Sequence, residues 1–104
     1  MKLLPALKQK KRYIVFETDK KFSKTDLETA VNQAFLRSLG EFGTAKASPI
    51  FIKANHNKFI VKVNHTALNE AKAALILIKT IKKQPVIIKS IITSGTLKKT
   101  QSYL

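Results

Sequence analysis

A chain of 104 residues, 44% of them hydrophobic, can bury one modest core and is too short for two domains of ordinary size. Twenty Lys and Arg against six Asp and Glu leave a formal charge of +14, which speaks to the partners of the protein rather than to its fold and points to polyanions. The absence of cysteine rules out disulfides, thiolate zinc sites and cysteine nucleophiles, and no apolar run nears the roughly 18 residues that cross a bilayer.

Arg12–Thr18, with its apolar and β-favouring Tyr13–Phe16, reads as a first strand. After a loop at Asp19–Phe22, the Ser23 hydroxyl is placed to accept from the amide three residues on, and Asp26 lies in an electropositive first turn. A helix is therefore expected to begin at Lys24. Leu27, Ala30, Val31, Ala34 and Phe35 share one face of it, and Gly40 suits a left-handed stop. Thr44–Ala54 is expected to be extended, with Pro49 confining it to a sheet edge or a bulge. Asn55, His56 and Asn57 are turn-prone, and Lys58–Val63 alternates Phe59, Val61 and Val63 with Lys58, Ile60 and Lys62, which makes a hairpin. Asn64 and Thr66 are both competent caps for a second helix over Ala67–Ile81, whose core stripe is Leu68, Ala71, Ala74, Leu75, Ile78 and Ile81. Lys82–Gln84 turns the chain into a β-branched strand, Val86–Ile92, and Gly95 ends it. The tail beyond Gly95 is open between a frayed helix and disorder.

The order β-α-β-β-α-β is that of the ferredoxin-like split βαβ fold, an α+β two-layer sandwich of two helices on a four-stranded antiparallel sheet. The expected division is a basic N-terminal segment over 1–11, the ferredoxin-like domain over 12–95 and a short C-terminal tail over 96–104. Two features exceed what such a sandwich needs. The second helix carries Ile76 and Leu77 beside its stripe, and at ~100° per residue Leu77 points about opposite Leu68. The last strand is apolar on both faces, with Val86, Ile88 and Ile92 on one and Ile87 and Ile91 on the other. Scattered exposed apolar side chains are ordinary, and the chain's own ends could cover these; the sharper reading is burial by a protein partner.

The charge is unevenly placed. Residues 1–16 hold five basic side chains and 71–104 hold seven, with no acid in either, whereas 17–70 holds eight bases and all six acids. Cations gathered toward both chain ends suit a polyanion-binding surface. Chemistry is harder to place. The only imidazoles are His56, in a hairpin turn, and His65, beside a helix N-terminus where polar residues serve capping, and neither sits in a catalytic motif. Two separated histidines and dispersed acids make no metal-ligand pattern, and three glycines match no phosphate-cradling loop. The third strand lacks the glycine and paired aromatics of an RNA-recognition module, so contact with structured RNA through backbone and shape fits better than base stacking across the sheet. The chain taken alone reads as a non-enzyme that binds no cofactor and no metal. Pro5 and the run Lys8–Arg12 interrupt the opening leucines well short of a signal-peptide core, so a cytoplasmic location without membrane contact is expected.

Three runs carry a resemblance. Leu4-Pro5-Ala6-Leu7 with Lys10-Lys11-Arg12-Tyr13-Ile14, then the stretch Leu36–Ala47 (LRSLGEFGTAKA), then Ser94-Gly95-Thr96-Leu97-Lys98, together with Asn64-His65, resemble the archaeal ribonuclease P protein component 2 family. The likeness runs through nearly the whole chain in order. Ala6 stands where a second proline is usual, and the C-terminal tail is short.

The resemblance implies a ferredoxin-like RNA-binding subunit of ribonuclease P, the ribonucleoprotein that removes the 5′ leader from precursor tRNA. In it RNA is the catalyst and magnesium is used by that RNA rather than bound by this chain. It implies as partners the ribonuclease P RNA, precursor tRNA within the complex, and the TIM-barrel-like protein component 3, with a homodimer of this chain inside a two-plus-two assembly. The family's basic N-terminal stretch lies toward the RNA, which points to Lys8, Lys10, Lys11 and Arg12. Arg37 and Lys46 fall inside the central motif, and Lys98 and Lys99 follow the last. A lone lysine is ordinarily a solvated charge, and Arg37 near a helix end could serve the dipole at ~0.3–1 kcal/mol, whereas the cluster at 8–12 is harder to dismiss. Gly40 and Gly43 read as backbone requirements, for the helix stop and the turn after it. A ribosomal or ribosome-associated RNA-binding protein is the first alternative. A ligand-sensing dimer sits poorly with the charge, and a stand-alone nuclease lacks acid clusters and paired histidines.

Overall fold

The computed structural model describes residues 10–55 and 57–104. Lys8, His56 and the Leu4–Leu7 motif lie outside the described residues. Strand β1 (Lys11–Thr18) and helix α1 (Lys24–Ala47) follow the expected order, then β2 (Ile50–Asn55), β3 (Lys58–Asn64), helix α2 (Leu68–Ile76) after a single 3-10 turn, the two-residue strands β4 (Thr80–Ile81) and β5 (Gln84–Pro85), β6 (Ile88–Ser94) and helix α3 (Leu97–Gln101). The main sheet runs β2-β3-β1-β6 with every neighbour antiparallel, which is the ferredoxin-like arrangement. Pro49 precedes β2, an edge strand, where its missing donor costs no ladder bond.

One face of the sheet, carrying Ile14, Phe16, Phe59, Val61, Val63 and Ile88, packs against Leu27, Val31, Ala34 and Phe35 of α1 and Ala71, Ala74 and Leu75 of α2. Phe59 sits between Phe16 and Phe51, with ring centroids at 5.3 and 5.6 Å, so the three strands are joined by an aromatic stack across the sheet. The start of α1 is as expected: Ser23 Oγ accepts from the Asp26 amide at 3.2 Å.

The opposite face is not bare. Val15 and Ile60 point away from α1 and α2 by the β1–β3 register, yet both are fully buried. Helix α3, formed by the tail whose order is open in the sequence, packs against β1 and β6. Its end is held on the β2–β3 hairpin, where Lys58 Nζ donates to the Tyr103 carbonyl (3.2 Å) and Asn55 Nδ2 to that of Leu104 (3.1 Å). Thr100, fully buried in α3, has its hydroxyl satisfied by the Leu97 carbonyl. The chain's own end thus covers part of the surplus apolar surface.

Several expectations are corrected. Helix α1 does not end at Gly40. It breaks there, with φ 71° and ψ −178°, and resumes over 41–47, so Thr44–Ala47 is helical rather than extended. It stops at Ser48, which takes a left-handed conformation (φ 48°) ahead of Pro49 and donates its N–H to the Thr44 carbonyl. Helix α2 ends at Ile76 instead of Ile81, because Thr80–Ile81 pairs with Gln84–Pro85 around Lys82 and Lys83, both at positive φ. That is the mirror-image hairpin turn usually signalled by Asn-Gly, a signal this sequence does not carry. The last strand starts at Ile88, not Val86. A bulge at Ile91, unmatched between the pairs Val15–Ile92 and Phe16–Ser90, turns Ile92 to the face opposite Ile88. Ile76 and Leu77 remain about half exposed or more, as their helical positions suggest.

The backbone at Gly40 lies in a region essentially reserved for glycine, and nothing surrounds a would-be Cβ there. Gly40→Ala is therefore expected to cost about 1–3 kcal/mol through backbone strain alone, read as a lower denaturation midpoint with unchanged slope.

Candidate nucleic-acid interface

The residues that meet at one end of the sheet do so through Asn64. It and Thr66 are the caps expected of the second helix. Asn64 stands at the cap position in extended conformation, but its side chain makes no cap bond, and Thr66 falls inside the 3-10 turn. The buried Asn64 carboxamide reaches sideways instead: Nδ2 donates to the Lys46 carbonyl at 2.6 Å, and Oδ1 accepts from Lys11 Nζ. The next residue, His65, donates its backbone N–H to the Lys10 carbonyl at 2.8 Å. The entrance of β1, the exit of β3 and the end of α1 are thereby tied together, and Lys10, Lys11 and Lys46 with them.

The last strand ends here too. Ser94 pairs with Tyr13, and Arg12 Nη1 lies 3.5 Å from the position a Cβ would take on Gly95. Arg12 also donates to the Lys11 carbonyl at 3.0 Å, which folds its guanidinium back over the strand entrance. Lys98 and Lys99 follow on α3, both exposed, as are Lys10 and Lys46. Arg37 is not part of this group. It lines a hollow with Ala34, Ser38, Ala74, Leu77 and Ile78 at the C-terminal end of α2, whereas Lys46 lines one with Leu39, Gly43, Thr66, Ala67 and Glu70 at its N-terminal end, roughly 15 Å away along the helix.

Gly43 belongs to the same end for a packing reason. A Cβ there would come within 2.8 Å of Leu39 Cβ, so the short helical segment after the break needs a residue without one.

Sequence reasoning missed a further set of cations. By register, Lys53, Lys58, Lys62 and Lys89 share the sheet face of Lys11 and Tyr13, with Lys62 directly opposite Tyr13. The signal was the polar half of the Lys58–Val63 alternation, which identifies a hairpin but gives no reason to view its lysines as one surface until β1 and β2 are placed on either side.

Acids neutralise little of this. Among the described residues the ion pairs are Lys58–Glu17 at 4.0 Å and Lys82–Asp26 at 3.3 Å, and neither involves a cation of the Asn64 end. Glu70 stands near Lys46 in the hollow beside α2 without pairing with it. Clustered ammonium and guanidinium groups without carboxylate partners can take phosphate oxygens, and their spread over three elements suits a folded backbone more than one strand. Among the described residues no group of three His, Asp or Glu could hold a metal ion, and no helix is long and apolar enough to cross a membrane.

The comparisons agree with one another. A family model described as the Rpp14/Pop5 family matches residues 12–104. Ribonuclease P protein component 2 of Pyrococcus furiosus is 37% identical over 93% of this chain and 84% of its own length, and that of Methanocaldococcus jannaschii 33% over 93% and 74%. Among solved structures, a chain of yeast ribonuclease MRP superposes with a TM-score of 0.71 at 14% identity, covering 91% of each chain, which shows a shared fold.

Asn64→Ala would leave the Lys46 carbonyl without its donor and the Lys11 ammonium without its acceptor. A loss of about 1–3 kcal/mol is expected in chemical denaturation, with Asn64→Asp also destabilising because a carboxylate cannot donate to the carbonyl.

Proposed function

This chain belongs to the Rpp14/Pop5 family, and from that premise we propose that it is an RNA-binding, non-catalytic subunit of ribonuclease P. It assists the RNA-catalysed removal of the 5′ leader from precursor tRNA by neutralising phosphates where segments of the catalytic RNA converge. The observation that carries this reading is the gathering of Lys10, Lys11, Arg12 and Lys46 at one end of the sheet, with Lys98 and Lys99 in the first turn of the helix that leaves it, and with no acid paired to any of them among the described residues. Lys8 precedes that group in the chain and is assigned the same role. Arg37, apart from it, is assigned a separate contact.

Phosphate neutralisation explains how a protein with no chemistry of its own aids a ribozyme. Converging RNA segments repel one another, and the repulsion is offset either by bound magnesium or by fixed cations. A protein surface that supplies the second lowers the demand for the first. Magnesium on this reading serves the partner RNA and takes no ligand from this chain. Protein component 3 is the proposed protein partner, with two copies of each in the assembly, and the exposed Ile76 and Leu77 of α2 are the surface that supports such a contact. A cytoplasmic location belongs to the same proposal. The ribosomal alternative is not favoured, since the curated relatives carry the ribonuclease P name.

Replacing Lys10, Lys11 and Arg12 together by alanine is expected to raise the magnesium concentration at which the reconstituted ribonucleoprotein reaches half-maximal cleavage. It should also flatten the salt dependence of RNA affinity by about 0.7–0.9 in log–log slope for each phosphate that is no longer neutralised. Unchanged cleavage at limiting magnesium would refute the assignment.

A further inference from the structure

Phe42 is 94% exposed, far more than any other large apolar side chain among the described residues. Helical periodicity does not put it there. Phe42 lies seven residues after Phe35, which is fully buried, and in an unbroken helix the two would share the core face. The break at Gly40 removes that equivalence: φ 71° with ψ −178° is a backbone conformation only glycine adopts readily, and it re-aims the segment 41–47 so that Phe42 leaves the core. Gly43 and the Asn64 bond to the Lys46 carbonyl then fix this segment against Leu39 and β3, and Ser48 closes it. A conformation costly for any other residue thus holds an aromatic ring in water.

The surroundings of the ring indicate what it meets. Lys46 lies four residues on and therefore on the same face of this short segment. Through Asn64, Lys46 is tied to Lys11, and through His65 to Lys10. The acids nearby are Glu41, adjacent in sequence, and Glu70, in the hollow beside Lys46. An apolar ring with cations beside it, held on a rigid element, matches the two faces of an unpaired nucleotide: the base stacks on the ring and the phosphate takes an ammonium. An apolar protein pocket would cover the ring but leave Lys46 unanswered.

We propose that Phe42 is a stacking platform for one unpaired base of the bound RNA, with Lys46 on the adjoining phosphate. The inference rests on the RNA-binding reading above and adds to it a contact with a base, made by a helix rather than across the sheet.

The full chain lacks tryptophan, so Phe42→Trp introduces a single reporter at the site. Two ribose-phosphate decamers serve as probes, one of adenosine and one abasic, with equal charge. Wild type is expected to bind the adenosine decamer more tightly. Phe42→Ala, which removes an exposed side chain and should fold as wild type does by circular dichroism, is expected to weaken that binding roughly 5- to 150-fold. That range is the ~1–3 kcal/mol of one base–aromatic stack at 1.4 kcal/mol per tenfold. Affinity for the abasic decamer and the salt slope should stay unchanged, and Phe42→Trp should restore adenosine binding with quenching of its fluorescence. Equal loss on both decamers, or no loss on either, overturns the stacking site. So does Phe42→Ala that binds RNA normally but fails to join a protein subunit of the ribonucleoprotein. If wild type binds neither decamer nor the ribonuclease P RNA, the RNA-binding reading itself fails, a result distinct from the others.

Discussion

The Asn64 carboxamide is a buried group with two demands, a donor for its oxygen and an acceptor for its nitrogen, and both are met by elements remote in sequence: Lys11 at the entrance of β1 and the Lys46 carbonyl at the end of α1. A buried amide left unpaired costs more than the net worth of either bond, so these three elements are held together once Asn64 is placed at the end of β3. The consequence is electrostatic as well as structural. Lys11 and Lys46 are brought to one end of the sheet by a neutral side chain, not by a carboxylate, and their charge remains available to a ligand.

That arrangement has a cost the rest of the fold must offset. A net charge of +14 on 104 residues opposes compaction through self-repulsion. The offset comes from β1 and β3, the central strands, which are buried on both faces: Ile14, Phe16, Phe59 and Val61 against the two long helices, and Val15 and Ile60 on the face where α3 packs. Helix α3 therefore does two things at once. It closes apolar surface the two-layer sandwich would leave wet, and it sets out from the end organised by Asn64, with Lys98 and Lys99 in its first turn, before it finishes on the β2–β3 hairpin.

The order of elements was legible in the sequence because local signals agree with it. The Ser23–Asp26 cap, the apolar face from Leu27 to Phe35 and the Lys58–Val63 alternation each specify one element, and the topology follows from their order. What was hidden depends on contacts distant in sequence or on turns with unusual residues. Two lysines at positive φ make the turn after α2 and shorten that helix, and no composition rule finds them. The Ile91 bulge inverts the facing of Ile92 because β1 and β6 must accommodate an extra residue. Gly40 reads as a stop and proves to be a break, because the following seven residues find partners that lie far off in sequence, Asn64 among them. Of the candidate site, the chain-end cations were visible as charge asymmetry. The lysines on the sheet face were not, since their grouping exists only after four strands are aligned, and the separation of Arg37 from Lys46 likewise needs α2 between them.

If one end of this molecule, and not its surface at large, meets the phosphates of a folded RNA, lysine reactivity must change at that end alone. Acetylation footprinting of the protein by itself and in the assembled ribonucleoprotein tests this residue by residue. Lys10, Lys46, Lys98 and Lys99 should be protected in the assembly, while Lys24 and Lys82, at the opposite end of α1, should react as they do in the free chain. Protection spread evenly over all these lysines, or confined to Lys24 and Lys82, would contradict the claim.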